Sequence, residues 1–238
     1  MVDAFCARGV NVINDPKDAK GAVVIRSHGI KPGVQVELEK NSKIIDATCP
    51  FVKRAQTQAN NLAKVCDQVI VVGTAGHPEV EAIVDYAKLG GAEVFVVDCA
   101  SALPKTLRRV GVVSQTTQSN DVFNEIVSEI KKRAELVEVK NTICSATEQR
   151  QDEAEKLALK CDVMIVLGGK NSSNTRRLFE ICDKRCKDSY YIEQPCEIQN
   201  IDFSQIGENV VVGITAGAST PYEQIDELER LIKLKYSL

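Results

Sequence analysis

The sequence predicts an α/β protein with mainly parallel β-sheets, built from repeated units. Two observations predict this fold class. Short β-rich apolar runs alternate with amphipathic helical stretches along almost the whole chain, and one long segment matches another when the chain is shifted by 95 residues. Because strands separated by helices pair through βαβ crossovers, the alternation indicates parallel pairing.

The individual elements follow from the apolar pattern. Strands are expected where short runs of three to five residues, most of them apolar or β-branched, stand between turn signals. These segments are Ala22–Ile25, Lys43–Ile45, Gln68–Val72, Glu93–Val97, Val110–Val113, Leu136–Val139, Val163–Leu167, Tyr190–Ile192 and Val210–Ile214. Helical periodicity is found, for example, in Val52–Val65, Asn120–Arg133, Glu148–Lys160, Asn174–Lys184 and Pro221–Lys233.

The repeat is the stronger signal. Cys49–Gly73 aligns with Cys144–Gly168 without a gap, and ten of the twenty-five positions are identical, where composition alone would give about one or two. The register continues, so that His77-Pro78-Glu79 falls opposite Ser172-Ser173-Asn174. Both copies are therefore predicted to consist of a loop, a cysteine, a helix, a strand and a glycine, in that order.

An incomplete copy precedes these two, because the segment AVVIRSHG (22–29) resembles VVSQT (112–116) and VVGIT (211–215). This organisation predicts three segments: a remnant of a first α/β unit (1–47), a second unit (48–139) and a third unit with a C-terminal helix (140–238). A cysteine of the first unit, at the spacing of the other two, would fall about forty residues before Met1. We therefore expect a chain that begins inside its first unit.

Composition excludes several classes of protein. The 30 basic and 33 acidic residues nearly balance, and the pI is about 5.6, which argues against nucleic acid as the partner. Apolar runs are too short to cross a bilayer, and the N-terminus lacks the pattern of a secretion signal. A cytoplasmic protein is expected. Nine cysteines in such a chain favour buried thiols, metal ligands or nucleophiles over a disulfide framework.

Polar, glycine-flanked segments follow most of the predicted strands. In open parallel sheets, ligand sites form at the carboxyl ends of the strands. Any one segment is explained as well by a cap or a turn, but two of these segments carry the repeat-related Cys49 and Cys144. They also include both histidines of the chain, His28 and His77, which favours anion binding. Thiolates at strand ends suit an iron–sulfur cluster, and zinc is the alternative soft-ligand metal.

Four other cysteines are predicted to be packing residues and not metal ligands. Cys66 and Cys161 match in the repeat, but they precede a strand and lie at the opposite edge, so packing is the favoured interpretation. Cys182 and Cys186 share one helix face, and a helical core is favoured there over a metal site because no partner pair has zinc-finger spacing.

Several motifs, in this order and spacing, resemble one known family. They are SHG (27–29), DATCP (46–50), GHPEVE (76–81), SQTT (114–117), ICSATEQRQ (143–151), GGKNSSNTRRL (168–178) and TAGAS (215–219). From about residue 20 to the C-terminus, the chain is similar to the 4-hydroxy-3-methylbut-2-enyl diphosphate reductase family of the non-mevalonate isoprenoid pathway. The resemblance implies three α/β units in pseudo-threefold arrangement, each of which gives one cysteine to a central [4Fe-4S] cluster.

The same resemblance implies the roles of individual residues. Cys49 and Cys144 would ligate the cluster, and Glu79 would relay protons to a substrate hydroxyl that Thr116 orients. The diphosphate would be held by His28, His77, Ser172, Asn174 and Ser219, with Ser173 beside them. The expected reaction is the reductive dehydroxylation of the allylic diphosphate to isopentenyl and dimethylallyl diphosphate, with ferredoxin or flavodoxin as the electron donor.

The chain departs from the family pattern in one respect, since the first cluster cysteine and a diphosphate-binding histidine that follows it are absent. A cluster held by two thiolates is expected to be labile. The alternatives are a diphosphate-binding protein without a cluster or catalysis, and an unrelated zinc-binding or nucleotide-binding α/β protein. The nucleotide alternative is weakened because neither GxGxxG nor GxxxxGK[ST] occurs.

Overall fold

The computed structural model describes residues 5–202 and 209–236 of the chain. The chain forms two compact units, residues 1–143 and 144–238. Every strand pairing of the described residues is parallel, so the predicted α/β class is confirmed. No helix in the described ranges is long and apolar enough to cross a membrane.

The first unit begins with a small sheet of two parallel strands. Strands β1 (Gly21–Ile25) and β2 (Ser42–Asp46) pair in register, with helix α1 (Pro32–Glu39) as their crossover. The pairing continues beyond the strands, because the Ala47 N–H donates to the Ile25 carbonyl at 3.1 Å. The loops that follow the two strands are therefore held side by side.

A larger sheet of the first unit has the strand order β4-β3-β5-β6. Its elements in chain order are α2 (Pro50–Ala63), β3 (Gln68–Val72), α3 (Pro78–Lys88), β4 (Glu93–Val97), β5 (Arg109–Ser114), α4 (Asn120–Arg133) and β6 (Leu136–Val139). Alternate residues of β3 point to opposite faces: Ile70 packs with the side chains of α4, and Val71 packs with those of α2 and α3. Both faces are covered by helices, which explains why β3 is buried throughout and apolar at every position after Gln68.

The second unit repeats this plan on a sheet of order β8-β7-β9. Its elements are α5 (Ser145–Ala158), β7 (Val163–Leu167), α6 (Ser173–Arg185), β8 (Asp188–Ile192), β9 (Val212–Ala216) and α7 (Tyr222–Tyr236). Strand β7 is buried throughout, like β3. Its residue Ile165 packs with α7, and Val166 packs with α5 and α6.

The structure refines the predicted bounds where they concern the site. Helices α2 and α5 begin at Pro50 and Ser145, directly after Cys49 and Cys144, and not at Val52 and Glu148 as predicted. Strand β9 runs two residues later than predicted, so Thr215 lies within it. The described elements also include three 3-10 helical segments: Pro16–Asp18, Ala100–Ala102 and Pro195–Asn200. The division into 1–47, 48–139 and 140–238 stays a prediction.

Candidate active site

Each unit has a reversal of strand order at the central strand of its sheet. In the first unit β3 lies between β4 and β5, and in the second unit β7 lies between β8 and β9. Connections leave such a central strand and its neighbour toward opposite faces, and ligands bind in the crevice between them. His77 follows β3 and Thr116 follows β5, while Ser172 follows β7 and Ser219 follows β9. The repeat therefore places a candidate site at equivalent points of both units.

Cys49 lies where the β2 loop enters helix α2. It is the N-cap residue of that helix, its thiol is half-buried, and its side chain makes no capping hydrogen bond. Its backbone N–H donates to the Ser27 carbonyl at 3.0 Å. The loop is shaped by Asp46, whose carboxylate accepts the Thr48 N–H at 2.9 Å and lies 2.6 Å from Lys53 Nζ. Hydrogen bonds from Lys53 and Thr48 lower the pKa of Asp46 to about 2.

The two histidines of the chain meet in the first unit. The ring centroids of His28 and His77 are 5.5 Å apart, with the rings edge to face at 69°. His77 is the N-cap residue of α3, and its Nδ1 accepts the Glu79 N–H at 3.2 Å. Burial lowers the pKa of both imidazoles below the ordinary value, and the positive charge of Arg26 adds to the effect.

Glu79 is a buried carboxyl with two hydrogen bonds to one residue. Its side chain is 2% exposed, Oε1 accepts the Thr116 N–H at 2.6 Å, and Oε2 lies 3.1 Å from Thr116 Oγ1. Burial raises the pKa of Glu79 above the ordinary value of a carboxyl group, although both hydrogen bonds from Thr116 oppose the shift. The arrangement holds a carboxylic acid that keeps its proton at higher pH than a solvated one.

Gln115 also supports this site, although the sequence assigned it no role. It is 2% exposed, and its Oε1 accepts the Thr74 N–H at 3.1 Å, which fastens the loop that leads to His77. Gly73 allows this close approach, because a Cβ at that position would stand 2.9 Å from the Gln115 Cβ. In the sequence, only the position of Gln115 beside Thr116 in SQTT (114–117) marked it, and that position does not reveal its contact with Thr74.

The second unit presents serine and asparagine side chains where the first presents histidine and glutamate. Ser172 is the N-cap residue of α6, and its Oγ accepts the Thr175 N–H at 3.3 Å. Ser173 is half-buried at the start of the helix. Asn174 is 7% exposed, and neither its Oδ1 nor its Nδ2 has a hydrogen-bond partner among the described residues. An amide buried in this way costs free energy unless a ligand satisfies it.

The loop after β9 lies beside the first turn of α6. A turn runs from Gly217 to Thr220, whose N–H donates to the Gly217 carbonyl at 3.0 Å, and Ser219 is exposed within it. Thr220 Oγ1 donates to the Leu167 carbonyl at 3.2 Å, and a side chain at Gly217 would collide with Thr175 Oγ1. Ser219 is therefore carried on a turn that packs against the helix opened by Ser172.

Cys144 occupies the same structural position in the second unit as Cys49 in the first. It is the N-cap residue of α5, half-buried and without a capping hydrogen bond from its side chain. Negative charge is favoured at a helix N-terminus, so a thiolate ligand is well placed at either residue. Within each unit, the described residues contain no group of three His, Cys, Asp or Glu side chains that could hold a metal ion.

The four cysteines predicted to be packing residues lie away from this edge. Cys66, Cys182 and Cys186 are buried, as predicted for packing residues, whereas Cys161 is only half-buried. Cys186 Sγ donates to the Asp162 carbonyl at 3.3 Å, which ties the end of α6 to the start of β7.

The chain matches the family model described as LytB protein over residues 1–233. It belongs to the LytB protein family. Curated relatives named 4-hydroxy-3-methylbut-2-enyl diphosphate reductase include one from Trichlorobacter lovleyi, 46% identical over 233 residues, which are 96% of this chain and 81% of the relative. Another, from Geobacter sulfurreducens, is 43% identical over 234 residues, 97% of this chain and 82% of that protein. The relatives are oxidoreductases, as the sequence resemblance implied.

Solved structures agree with this assignment. A structure of (E)-4-hydroxy-3-methyl-but-2-enyl diphosphate reductase, described as the terminal enzyme of the non-mevalonate pathway, is 40% identical with a TM-score of 0.67 and covers 98% of this chain and 83% of its own. The E-1-hydroxy-2-methyl-but-2-enyl-4-diphosphate reductase from Plasmodium falciparum is 27% identical with a TM-score of 0.84, over 97% of this chain and 74% of its own. The fold expected from the family is therefore confirmed.

Proposed function

We propose that the chain catalyses the reductive dehydroxylation of 4-hydroxy-3-methylbut-2-enyl diphosphate to isopentenyl and dimethylallyl diphosphate, the last step of the non-mevalonate isoprenoid pathway. The observation that carries the proposal is the buried pair of Glu79 and Thr116. A protein that only bound a diphosphate would have no use for a carboxyl group that is 2% exposed and held at both oxygens. The names of the curated relatives support the same reaction.

The chemistry requires an acid at this place. A hydroxyl group leaves readily only as water, so its removal needs a proton donor within hydrogen-bonding reach. Burial raises the pKa of Glu79, which keeps the carboxyl protonated toward neutral pH. Oε1 accepts the Thr116 backbone N–H and Oε2 accepts from Thr116 Oγ1, and we propose that Oε2 carries the acid proton. Glu79 Oε2 then delivers the proton to the substrate hydroxyl, and Thr116 Oγ1, 3.1 Å away, orients that hydroxyl.

The diphosphate would be bound by side chains at two helix N-termini. His77 is the N-cap residue of α3 and Ser172 is that of α6, and backbone N–H groups and the helix dipole favour an anion at such a position. His28 would join His77 at the first helix, and Ser173 and Ser219 would join Ser172 at the second. Asn174 supports the assignment most strongly, because its buried amide is without a partner in the described part of the chain and a phosphate oxygen would satisfy its Nδ2.

Cys49 and Cys144 would supply thiolates to a [4Fe-4S] cluster. The donor chemistry fits, since both thiols are free, half-buried and uncommitted to capping, and soft thiolates select iron–sulfur clusters. A bound cluster would supply the two electrons of the reduction one at a time; of the two protons consumed, one leaves in the water formed and the other is added to the allyl carbon skeleton. Ferredoxin or flavodoxin is the proposed donor of these electrons, by resemblance to the family.

A second candidate function is diphosphate binding without catalysis. The unpartnered amide of Asn174 favours binding in either case, because it needs no cluster to bind an anion. The two functions differ in what happens to the substrate. Under anaerobic conditions with a reductant, the reductase converts the allylic diphosphate into two products, whereas a binding protein retains it unchanged.

Cysteine variants test the cluster with a control supplied by the repeat. After anaerobic reconstitution, we expect Cys49→Ser and Cys144→Ser each to lose most of the iron and the visible absorption band. Cys66→Ala and Cys161→Ala, the other repeat-matched pair, are expected to keep both, because these residues precede strands at the opposite edge. Equal iron and absorption in all four variants would exclude Cys49 and Cys144 as ligands.

A further inference from the structure

Arg26 lies next to the pair of histidines and has no role in the sites described above. The turn after β1 is closed by the Gly29 N–H, which donates to the Arg26 carbonyl at 3.0 Å, so Arg26 and His28 belong to one four-residue turn. His28 in turn contacts His77 edge to face. Arg26 therefore shares an edge of the first unit with both imidazoles.

The hydrogen bond that His77 accepts determines which of its ring nitrogens can donate to an anion. The Glu79 N–H donates to Nδ1, so Nδ1 carries no proton and the neutral ring is protonated at Nε2. A doubly protonated ring would lose this helix cap. Burial is the main cause that lowers the pKa of His77, and the nearby His28 and Arg26 lower it further. Burial also lowers the pKa of His28, and Arg26 adds to that shift. The two rings thus donate hydrogen bonds at neutral pH without contributing positive charge.

A diphosphate bound here needs positive charge from another residue. The two lysines in this part of the unit are committed: Lys31 Nζ lies 3.0 Å from Glu81 Oε2, and Lys53 Nζ lies 2.6 Å from Asp46 Oδ2. The exposed guanidinium of Arg26 has neither a carboxylate nor a hydrogen-bond acceptor within the described ranges. Arg26 is the uncommitted cation beside the histidines.

We propose that Arg26 binds the diphosphate group of the substrate and supplies positive charge beside the two histidines. The inference rests on the proposed function and adds a residue to its site. A guanidinium presents two parallel N–H groups that match two oxygens of one phosphate, whereas a lysine offers a single point of charge. Arg26 on its exposed turn can reach a phosphate without disturbing the buried core.

The test compares Arg26→Ala and Arg26→Lys with Arg108→Ala. Arg108 is exposed and directly precedes β5, at the edge of the sheet opposite Thr116, so its variant removes the same charge away from the site. Binding of inorganic pyrophosphate and of the allylic diphosphate is measured by calorimetry at two salt concentrations, and KM and kcat by the anaerobic reductase assay. Thermal unfolding verifies that each variant is folded.

Loss of a charge-assisted contact predicts about tenfold weaker binding of both diphosphates for Arg26→Ala, and roughly threefold weaker binding for Arg26→Lys. The effect should fall on KM more than on kcat, and the affinity of Arg26→Ala should depend less on salt than that of the wild type. Affinity within twofold of the wild type for a folded Arg26→Ala would overturn the role of Arg26 and leave the proposed function standing. A wild-type chain that binds neither diphosphate would overturn both.

Discussion

Residues 77–79 and 172–174 are the same structural motif in two copies, and they differ in how their third residue is satisfied. In both copies, the side chain of the N-cap residue accepts a backbone N–H from the first turn of the helix. The Glu79 N–H donates to His77, and the Thr175 N–H donates to Ser172. The third residue is buried in each copy, but Glu79 has two hydrogen bonds to Thr116, whereas Asn174 has no partner in the described ranges. The buried polar group of the first copy is satisfied within the unit, and that of the second has no partner in the described ranges.

The difference shows how a duplicated scaffold can divide its tasks. Backbone geometry, strand order and helix start are common to both copies, so they are properties of the repeat. We propose that the function differs through a few side chains at one edge, with the acid of the first copy held by hydrogen bonds to Thr116 and the unpartnered amide of the second available to a ligand. Three predictions test this division.

The largest expected effect concerns Glu79. Glu79→Gln keeps the shape and both contacts to Thr116 but removes the acid proton, so we expect kcat to fall by about 100-fold or more. The measurement is product formation in the anaerobic reductase assay. Glu81→Gln, an exposed residue of the same helix turn, is the control and should retain activity. A Glu79→Gln enzyme within tenfold of the wild-type kcat would mean that Glu79 is not the proton donor.

The second effect concerns Asn174, whose replacement should weaken diphosphate binding and stabilise the unliganded protein. Asn174→Ala should weaken diphosphate binding by about tenfold while the unliganded protein gains up to about 1 kcal/mol of unfolding free energy, since an unpaired buried amide is removed. Asn60→Ala is the matched control, because Asn60 Nδ2 donates to the Tyr86 carbonyl at 2.9 Å and its loss should cost about 1 kcal/mol. Denaturant unfolding and calorimetry measure the two quantities. Equal destabilisation by both substitutions would contradict the comparison.

The smallest effect is a pH dependence of stability. The folded-state pKa of Glu79 is raised by burial, so the neutral carboxyl favours the folded state, and this contribution is complete below the unfolded pKa. It is lost as the pH rises through the folded-state pKa. The wild type should therefore lose more unfolding free energy than Glu79→Gln as the pH rises from 5 to 8. Parallel stability curves for the two proteins would show that burial leaves the carboxyl unshifted.

Much of the fold could be predicted because the signal for it is local and periodic. Strands β3, β4, β6 and β7 and helix α4 have the bounds that their apolar patterns predict. Helix starts were less predictable: a proline after Cys49 and a serine after Cys144 do not show that each cysteine is a cap. Capping depends on backbone dihedral angles that the side-chain pattern does not encode.

The candidate site divides in the same way. The repeat and the motifs identified the edge, both cysteines and the residues at equivalent positions, because strand ends and loops follow from element order. They gave no sign that Gln115 holds the Thr74 loop or that Arg26 is an uncommitted cation, since both facts depend on neighbours far away in the sequence.

The sequence by itself determined the α/β class, the duplication and the edge where Cys49, Cys144 and the histidines lie, because periodicity and repeat register are properties of the chain alone. Only the tertiary structure decided that Glu79 is buried against Thr116 and that Asn174 is left without a partner. The physical reason is that burial and hydrogen bonding are set by residues brought together from separate segments. A carboxyl group acquires its raised pKa, and an amide its need for a ligand, from that environment.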